Sequence, residues 1–296
     1  MDRGRIAGAL IEWYARDARE LPWRGAPGEV APWAVLVSEF MLQQTQVERV
    51  LPHFIEWQDR WPLPSLLAAE APGEAVRAWG RLGYPRRALW LHRAATEIAE
   101  THEDQVPRHV DTLLALTGVG PYTARAVAVF AFGERHPVGD TNTRRVLARL
   151  VHGKAAAGMP APDDLADMEV LLPDDAAAAV AFNAAAMELG AVVCTARAPR
   201  CDVCPVAKWC EWRGAGYPNN APARRPRQAK FEGSDRQVRG RIMALLRSAT
   251  SPVPESHALA AAAEGGVRDA AQPRRAFDSL LADGLVIKDD GGLRLP

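Results

Sequence analysis

All four cysteines of the chain fall between residues 194 and 210, in CTARAPRCDVCPVAKWC. No other feature restricts the fold as much. A disulfide framework scatters its cysteines, whereas thiols crowded into one short loop point to a metal centre. The spacing is C-x6-C-x2-C-x5-C, at Cys194, Cys201, Cys204 and Cys210. Four thiolates in so compact a loop can close around a [4Fe–4S] cube. A structural zinc also takes four thiolates, but usually from two knuckles across a longer gap, so the spacing favours the cluster. Within the first span, Arg197 and Arg200 stand where they could meet a phosphate backbone. Solvated charge is an equal reading of both.

The rest of the chain must supply a fold around that loop. With 296 residues, 48% of them hydrophobic, it can build one large or two modest cores. Thirty-six basic residues balance thirty-six acidic ones, so net charge gives no hint of nucleic acid. From Gly216 onward, 13 basic against 9 acidic residues leave a weak tilt of +4. No stretch approaches a membrane span, and no charged-then-apolar leader opens the chain. A cytoplasmic monomer without membrane contact is expected.

Apolar residues recur at helical spacing in GRIAGALIEWYARD, SEFMLQQTQVERVLPHFIEW, LLALTGVGPYTARAVAVFAFG and TRRVLARLVHG, and Pro and Gly punctuate them. The Ala-rich DDAAAAVAFNAAAMELGAVV predicts a further helix, with Asp174 and Asp175 near its N-terminus. Residues 214–233 read as a Gly-, Pro- and Arg-rich linker. Beyond it, two amphipathic helices and LVIKDDGGLRLP, two short strands about an Asp-Gly turn, suggest a small winged-helix-like α+β domain over 234–296. The chain is therefore expected to be mainly α.

Three stretches carry chemistry. In LLALTGVGPYTARAV, Gly118, Val119 and Gly120 make a tight turn between two apolar helices, and Pro121 suits the first position of the second. Such a turn aims backbone N–H groups and a helix N-terminus outward, ready for a phosphate, which is how a helix-hairpin-helix grips DNA without reading its sequence. In WAVLVSEFMLQQTQV, Glu39 sits inside an apolar run, a setting that favours the protonated form a general acid needs. In HPVGDTNTRRVLARL, Asp140 precedes a helix. By position it is a cap, but it also offers a second carboxyl group. An acid paired with a carboxylate is the chemistry of glycosidic-bond cleavage.

Taken in order, SEFMLQQTQV, LGYPRRA, LTGVGPYTARAV, GDTNTRRV, FNAAAMELGAVVC and the cysteine array closely resemble the A/G-specific adenine DNA glycosylases (MutY type) of the helix-hairpin-helix superfamily, from about Leu21 to Cys210. The resemblance implies a glycosylase core over 1–213. A six-helix barrel (26–137) would hold the hairpin, and a cluster domain would be made from 1–25 and 138–213. It implies double-stranded DNA with adenine mispairs as partner and adenine flipped out of the stack. Glu39 then matches the acid that protonates the adenine ring. Asp140 matches the aspartate that stabilises the sugar cation, electrostatically or through a transient covalent bond. Gln43, Gln44 and Tyr84 match residues that wedge into the base stack or contact the mispair. Glu188 matches an adenine contact, and Trp23 and Arg24 match the pocket lining.

Endonuclease III-like relatives carry a lysine after the hairpin that attacks C1′ and cuts the strand. Tyr122 stands there, so a monofunctional enzyme is expected. Gly139 replaces the usual branched residue before the aspartate, which predicts a more loosely held Asp140. GAPGEVA is slightly longer than the usual loop after Arg24. The family's lesion-reading C-terminal domain is Nudix-like and mostly strand, whereas this C-terminus is short and helical. Arg236, Arg239, Arg241 and Arg247 there suggest added DNA grip. A mismatch thymine or oxidised-pyrimidine glycosylase would use the same scaffold, and a catalytically silent DNA-binding protein is the reading from another class.

Overall fold

The computed structural model describes residues 2–161, 163–220 and 230–296. Among them, the first helices are α1 (Arg3–Asp17), α2 (Pro32–Leu42), α3 (Val47–Arg60), α4 (Pro64–Ala68), α5 (Pro72–Trp79) and α6 (Arg86–Thr101). Then come α7 (Val110–Ala115), α8 (Pro121–Phe132), α9 (Thr141–Leu150), α10 (Asp163–Leu171), α11 (Ala176–Val192) and α12 (Glu211–Gly214). The last elements are α13 (Asp235–Ser248), α14 (Glu255–Ala263), α15 (Gln272–Ala282) and the strands β1 (Ile287–Asp289) and β2 (Gly292–Arg294). The fold is mainly helical, as the sequence leads one to expect. The described residues group into two compact units: those of 2–35, 108–114, 119–161 and 163–220 form the first, and those of 36–107, 115–118 and 230–296 the second.

In the first unit, α1 lays Ile6, Leu10 and Trp13 into a core shared with Leu147 and Leu150 of α9 and Phe182 and Leu189 of α11. The alanines of α11 let its neighbours come close: Ala179 and Ala185 are fully buried. At Gly190 the approach is closest, and a Cβ there would lie 2.7 Å from that of Asn142. Asn183, wholly buried, accepts from the Val138 amide at 2.9 Å and donates to the His136 carbonyl at 3.0 Å, pinning the stretch before Asp140 to α11. Ala126 and Val129 of α8 pack with Val138 beside Val180 and Met187 of α11. This is why α8 groups with the cluster half, a different division from the expected barrel over 26–137.

In the second unit, α3 and α5 bury Trp57, Trp61 and Trp79, whose rings meet edge to face at 4.7 and 5.8 Å. Its C-terminal part packs α13 on α14 and α15, and β1 and β2 form an antiparallel hairpin with Ile287 opposite Arg294. Val253 joins that hairpin by exchanging two backbone hydrogen bonds with Leu293, both 2.8 Å. Three helices and a two-stranded hairpin with one bridge from Val253 give this stretch α+β content, as expected. The helix α14 was not foreseen, since its alanines carry no periodic pattern.

Two expectations change here. The linker's first residues are anchored: Asn220 accepts from the Ala155 amide at 2.8 Å and donates to the Gly153 carbonyl, and Trp212 donates to the Pro218 carbonyl. Residues 221–229 of that linker lie outside the described residues. Of the C-terminal arginines assigned to DNA grip, three point inward. Arg239 pairs with Asp283, Arg241 donates to the carbonyls of Ala262 and Gly266, and burial pushes the Arg247 guanidinium below its usual pKa.

Candidate active site and cluster loop

The four cysteines line one cavity together with Arg149, Pro199 and Trp212. Among the described residues, no three His, Cys, Asp or Glu side chains gather tightly enough to grip a single metal ion. Tetrahedral zinc holds its thiolates about 2.3 Å from one point, whereas a cubane spreads them over its corners. The donor set thus fits the [4Fe–4S] cluster. Burial pushes the Cys204 thiol up to about 12, with the thiols of Cys194, Cys210 and Cys201 adding to the effect. Four bare thiolates are disfavoured there, and the positive iron of a bound cluster removes that penalty.

Two arginines, neither singled out in the sequence, hold the loop. Arg149 is buried and aims its guanidinium at the carbonyls of Thr195 (2.8 Å) and Ala196 (3.2 Å) and at the Cys194 sulfur (3.3 Å). Arg145 donates to the Cys194 carbonyl at 2.8 Å, to Asn142 Oδ1 at 2.8 Å and to the Gly190 carbonyl at 2.6 Å. Asn142 in turn donates to Asp140 Oδ2 at 2.9 Å. An unbroken chain of hydrogen bonds therefore runs from the first cluster cysteine to Asp140. Asp140 also caps α9, its Oδ1 accepting from the Thr143 amide at 2.7 Å. The loosening expected from Gly139 does not occur, because the cap and Asn142 fix both carboxylate oxygens. Gly190→Ala is expected to push Asn142 outward and destabilise the fold by about 1–3 kcal/mol, read as a lower thermal midpoint with slower base release.

Arg197 is exposed, and Arg200 donates to the Val192 carbonyl at 2.9 Å while staying largely in solvent. Glu188, by contrast, is wholly buried, and both its oxygens are taken. Arg19 holds it bidentately at 2.7 and 2.8 Å, and Arg24 adds a bond at 2.7 Å. Burial alone would raise its pKa, but the hydrogen bonds and charges of Arg19 and Arg24 bring it down to about 2. The resemblance casts Glu188 as a base contact. In this structure it touches arginines instead, Arg19 and Arg24. The longer loop does not dislodge Arg24, and Trp23 beside it is buried. Arg19 was missed because nothing in DARELPWR marks its partner, which lies 169 residues further on.

The hairpin forms as expected, with Pro121 opening α8. Gly118 has φ +79°, and a Cβ there would come within 2.8 Å of Trp90 Cβ and 2.9 Å of Phe40 Cε1, so only glycine fits. Glu97 of α6 holds the turn, accepting from the Thr117 amide and hydroxyl at 2.8 and 2.6 Å. Gly120 corrects the sequence expectation. Its φ is −99°, open to any residue, and a Cβ would meet nothing within 4 Å. Only a close approach from outside would demand glycine there. Val119 is buried, and Tyr122 is partly buried against the core around Val129.

Glu39 is 7% exposed in the middle of α2, in the second unit, while Asp140 belongs to the first. After α2 the chain turns at Gln43 and Gln44, the latter with φ +56°. Tyr84 also has a positive φ, +47°, and is 52% exposed. Non-glycine residues in the left-handed region are strained, and Gln44 and Tyr84 share that region with Glu103, Asp104 and Tyr217. The buried Arg87 joins them, donating to the carbonyls of Phe40 (2.7 Å), Gln43 (2.6 Å) and Gly83 (3.1 Å) and to Thr45 Oγ1 (3.1 Å). Among the described residues no carboxylate pairs with it, and burial lowers its pKa to about 10.

A glycine-turn hairpin, a four-thiol loop and carboxyl groups at residues 39 and 140 define a helix-hairpin-helix base excision repair protein. The chain matches the model of the HhH-GPD superfamily base excision DNA repair proteins over residues 37–166, and that of the iron-sulfur binding domain of endonuclease III over 194–210. The adenine DNA glycosylase of Mycobacterium tuberculosis (strain ATCC 25618 / H37Rv) is 53% identical over 290 residues, 97% of this chain and 92% of that protein. The chain belongs to the adenine DNA glycosylase family. The fold is shared with a thermostable thymine-DNA glycosylase (TM-score 0.64, 24% identity, 72% of this chain and 97% of that one). It is also shared with endonuclease III in a non-covalent DNA complex (TM-score 0.60, 20% identity, 73% and 98%).

Proposed function

We propose that the protein is a monofunctional glycosylase that hydrolyses the N-glycosidic bond of adenine opposite 8-oxoguanine or guanine in duplex DNA. The observation that carries this reading is Asp140, fixed by the Thr143 amide and Asn142 at the family position while its helix is tied to the cluster loop. Glu39 donates a proton to the adenine ring as the C1′–N bond breaks, and the bond's electron pair leaves with the base. Asp140 stabilises the sugar oxocarbenium ion until water adds at C1′ and loses a proton, leaving an abasic site. When bound, the [4Fe–4S] cluster supplies a tie among four cysteines, and Arg145 carries that tie to Asn142 and Asp140. Tyr122 cannot form an imine, so the strand stays intact. No helix among the described residues is long and apolar enough to cross a membrane. Monomeric action in the cytoplasm completes the reading.

The test is base release from end-labelled duplexes carrying A:8-oxoguanine, A:G, A:C, T:G or thymine glycol, with and without alkali. Adenine should leave the first two, with nicks only after alkali. Glu39→Gln should slow release by at least about 10²–10⁴-fold, the range of general acid catalysis. Thymine release, or nicks without alkali, would keep the scaffold and overturn the substrate. Tight binding without any release would make this a silent DNA-binding protein.

A further inference from the structure

The C-terminal part of the second unit has the shape of a DNA reader without the charge of one. On α15, the helix a winged-helix reader would lay in a groove, Arg274 pairs with Glu255 at 2.7 Å and Asp278 at 2.9 Å, and Arg275 pairs with Asp269 at 2.8 Å. In the wing, Lys288 pairs with Glu255 at 2.6 Å and Arg294 with Asp289 at 3.0 Å. Residues 230–296 hold ten basic and nine acidic side chains. A surface that grips phosphates leaves its cations uncompensated, whereas these four are each paired with a carboxylate.

The same part is fastened to the barrel helices of its unit at three points. Arg77 of α5 donates to the carbonyls of Arg247 and Ala249, where α13 ends and leaves acceptors unsatisfied. The Gly73 amide donates to the Pro296 carbonyl at 2.5 Å, so close that a Cβ on Gly73 would sit 2.5 Å from that oxygen and 2.8 Å from Leu295 Cβ. Arg86, at the start of α6, meets Asp283 at 3.2 Å, and Arg239 holds the other oxygen of that carboxylate.

The third point lies two residues after Tyr84. The turn before it takes positive φ at Gly80, Gly83 and Tyr84, and of these only the tyrosine is strained by it. Each inner carbonyl is held from one side: Arg81 by Arg49, Leu82 by Thr45, Gly83 by Trp79 and Arg87. Asp283 supplies the hold from the other side. We propose that residues 230–296 act as an intramolecular brace, and that Arg86, through Asp283, is a positioning residue for the exposed Tyr84 rather than part of a second DNA-reading surface. The effect on mispair recognition rests on the proposed function; the effect on the turn does not.

Full-length Arg86→Ala, Arg86→Lys and Gly73→Val proteins test it. Hydrogen exchange at the amides of residues 80–84 and 86 would be followed without DNA. Affinity would be measured for an A:8-oxoguanine duplex, made uncleavable by 2′-fluoro-adenosine, and for a fully paired duplex. Arg86→Ala and Gly73→Val should speed exchange in the turn and lower the preference for the mispair by about tenfold, a shift of roughly 1.4 kcal/mol. Affinity for the paired duplex should hold, and Arg86→Lys should restore both readouts. Unchanged exchange in the turn overturns the proposal, as does failure of Lys to rescue. Loss of paired-duplex affinity with a shallower salt dependence also overturns it, and makes the part a DNA grip. A parent protein without mispair preference sinks the functional reading alone, and the exchange experiment still decides the brace.

Discussion

Asp140→Asn is expected to leave the fold standing and to stop the chemistry. Asparagine caps helices as well as aspartate, so the Thr143 amide keeps its acceptor and the cap itself should change by less than about 0.5 kcal/mol, with a further loss of about 1 kcal/mol on the Asn142 side. The negative charge disappears, however, and with it the group assigned to the sugar cation. Losing one preorganised electrostatic contact of this kind slows a reaction by about 10²–10³-fold. With its oxygen kept on the cap, the new side chain puts an NH2 group where Asp140 Oδ2 accepts from Asn142 Nδ2. Either two donors face each other, or the Asn142 amide turns over and abandons Arg145. Thermal unfolding beside single-turnover base release separates the roles. A midpoint that falls together with the rate would make Asp140 chiefly a cap.

Glu188→Ala should have the largest effect on stability. It strands the guanidinium groups of Arg19 and Arg24, but both side chains are partly open to solvent, so the cost should lie at or below about 3 kcal/mol, the low end for breaking a buried pair from one side. The pH dependence carries the same signature. The Glu188 carboxyl has a pKa of about 2 in the folded chain, against an ordinary value near 4.3. A depressed folded pKa means the stabilisation is fully present above the unfolded value and lost as pH falls from about 5 toward 2. The amount at stake is roughly 3 kcal/mol. Denaturant midpoints recorded between pH 7 and pH 2.5 should therefore slope down for the parent and run flatter for the variant. Parallel curves would mean that the pair contributes little.

How much of this was legible depends on how far apart the partners lie. Helices were visible wherever apolar residues recur every three or four positions, as in α3 and α9, and the cluster loop was visible because its cysteines are adjacent. The Ala-rich α14 has no such period. Asp140 was readable in both its roles, since a cap partner three residues on is local. Arg87 was invisible: it binds carbonyls, which every residue carries, and its acceptors lie more than forty residues upstream as well as four back. Arg19 and Arg149 share that fate. The C-terminal arginines misled for the converse reason. Their sequence neighbours leave them unpaired, whereas their partners, such as Asp283 for Arg239, sit a whole helix away.

The packing of α1 against α11 sets an order of events on the ribosome. Ile6, Leu10 and Trp13 leave the exit tunnel early, but Phe182 and Leu189, which cover them, follow some 170 residues later. Closing a loop of that length carries an entropy of on the order of 4–5 kcal/mol before any constant term, and must precede the contacts it permits. Until then the amino-terminal helix shows its apolar stripe to solvent, and is a natural client for a chaperone. Iron cannot be received until Cys210 has emerged, so cofactor insertion and the burial of the first helix belong to the same late stage of synthesis.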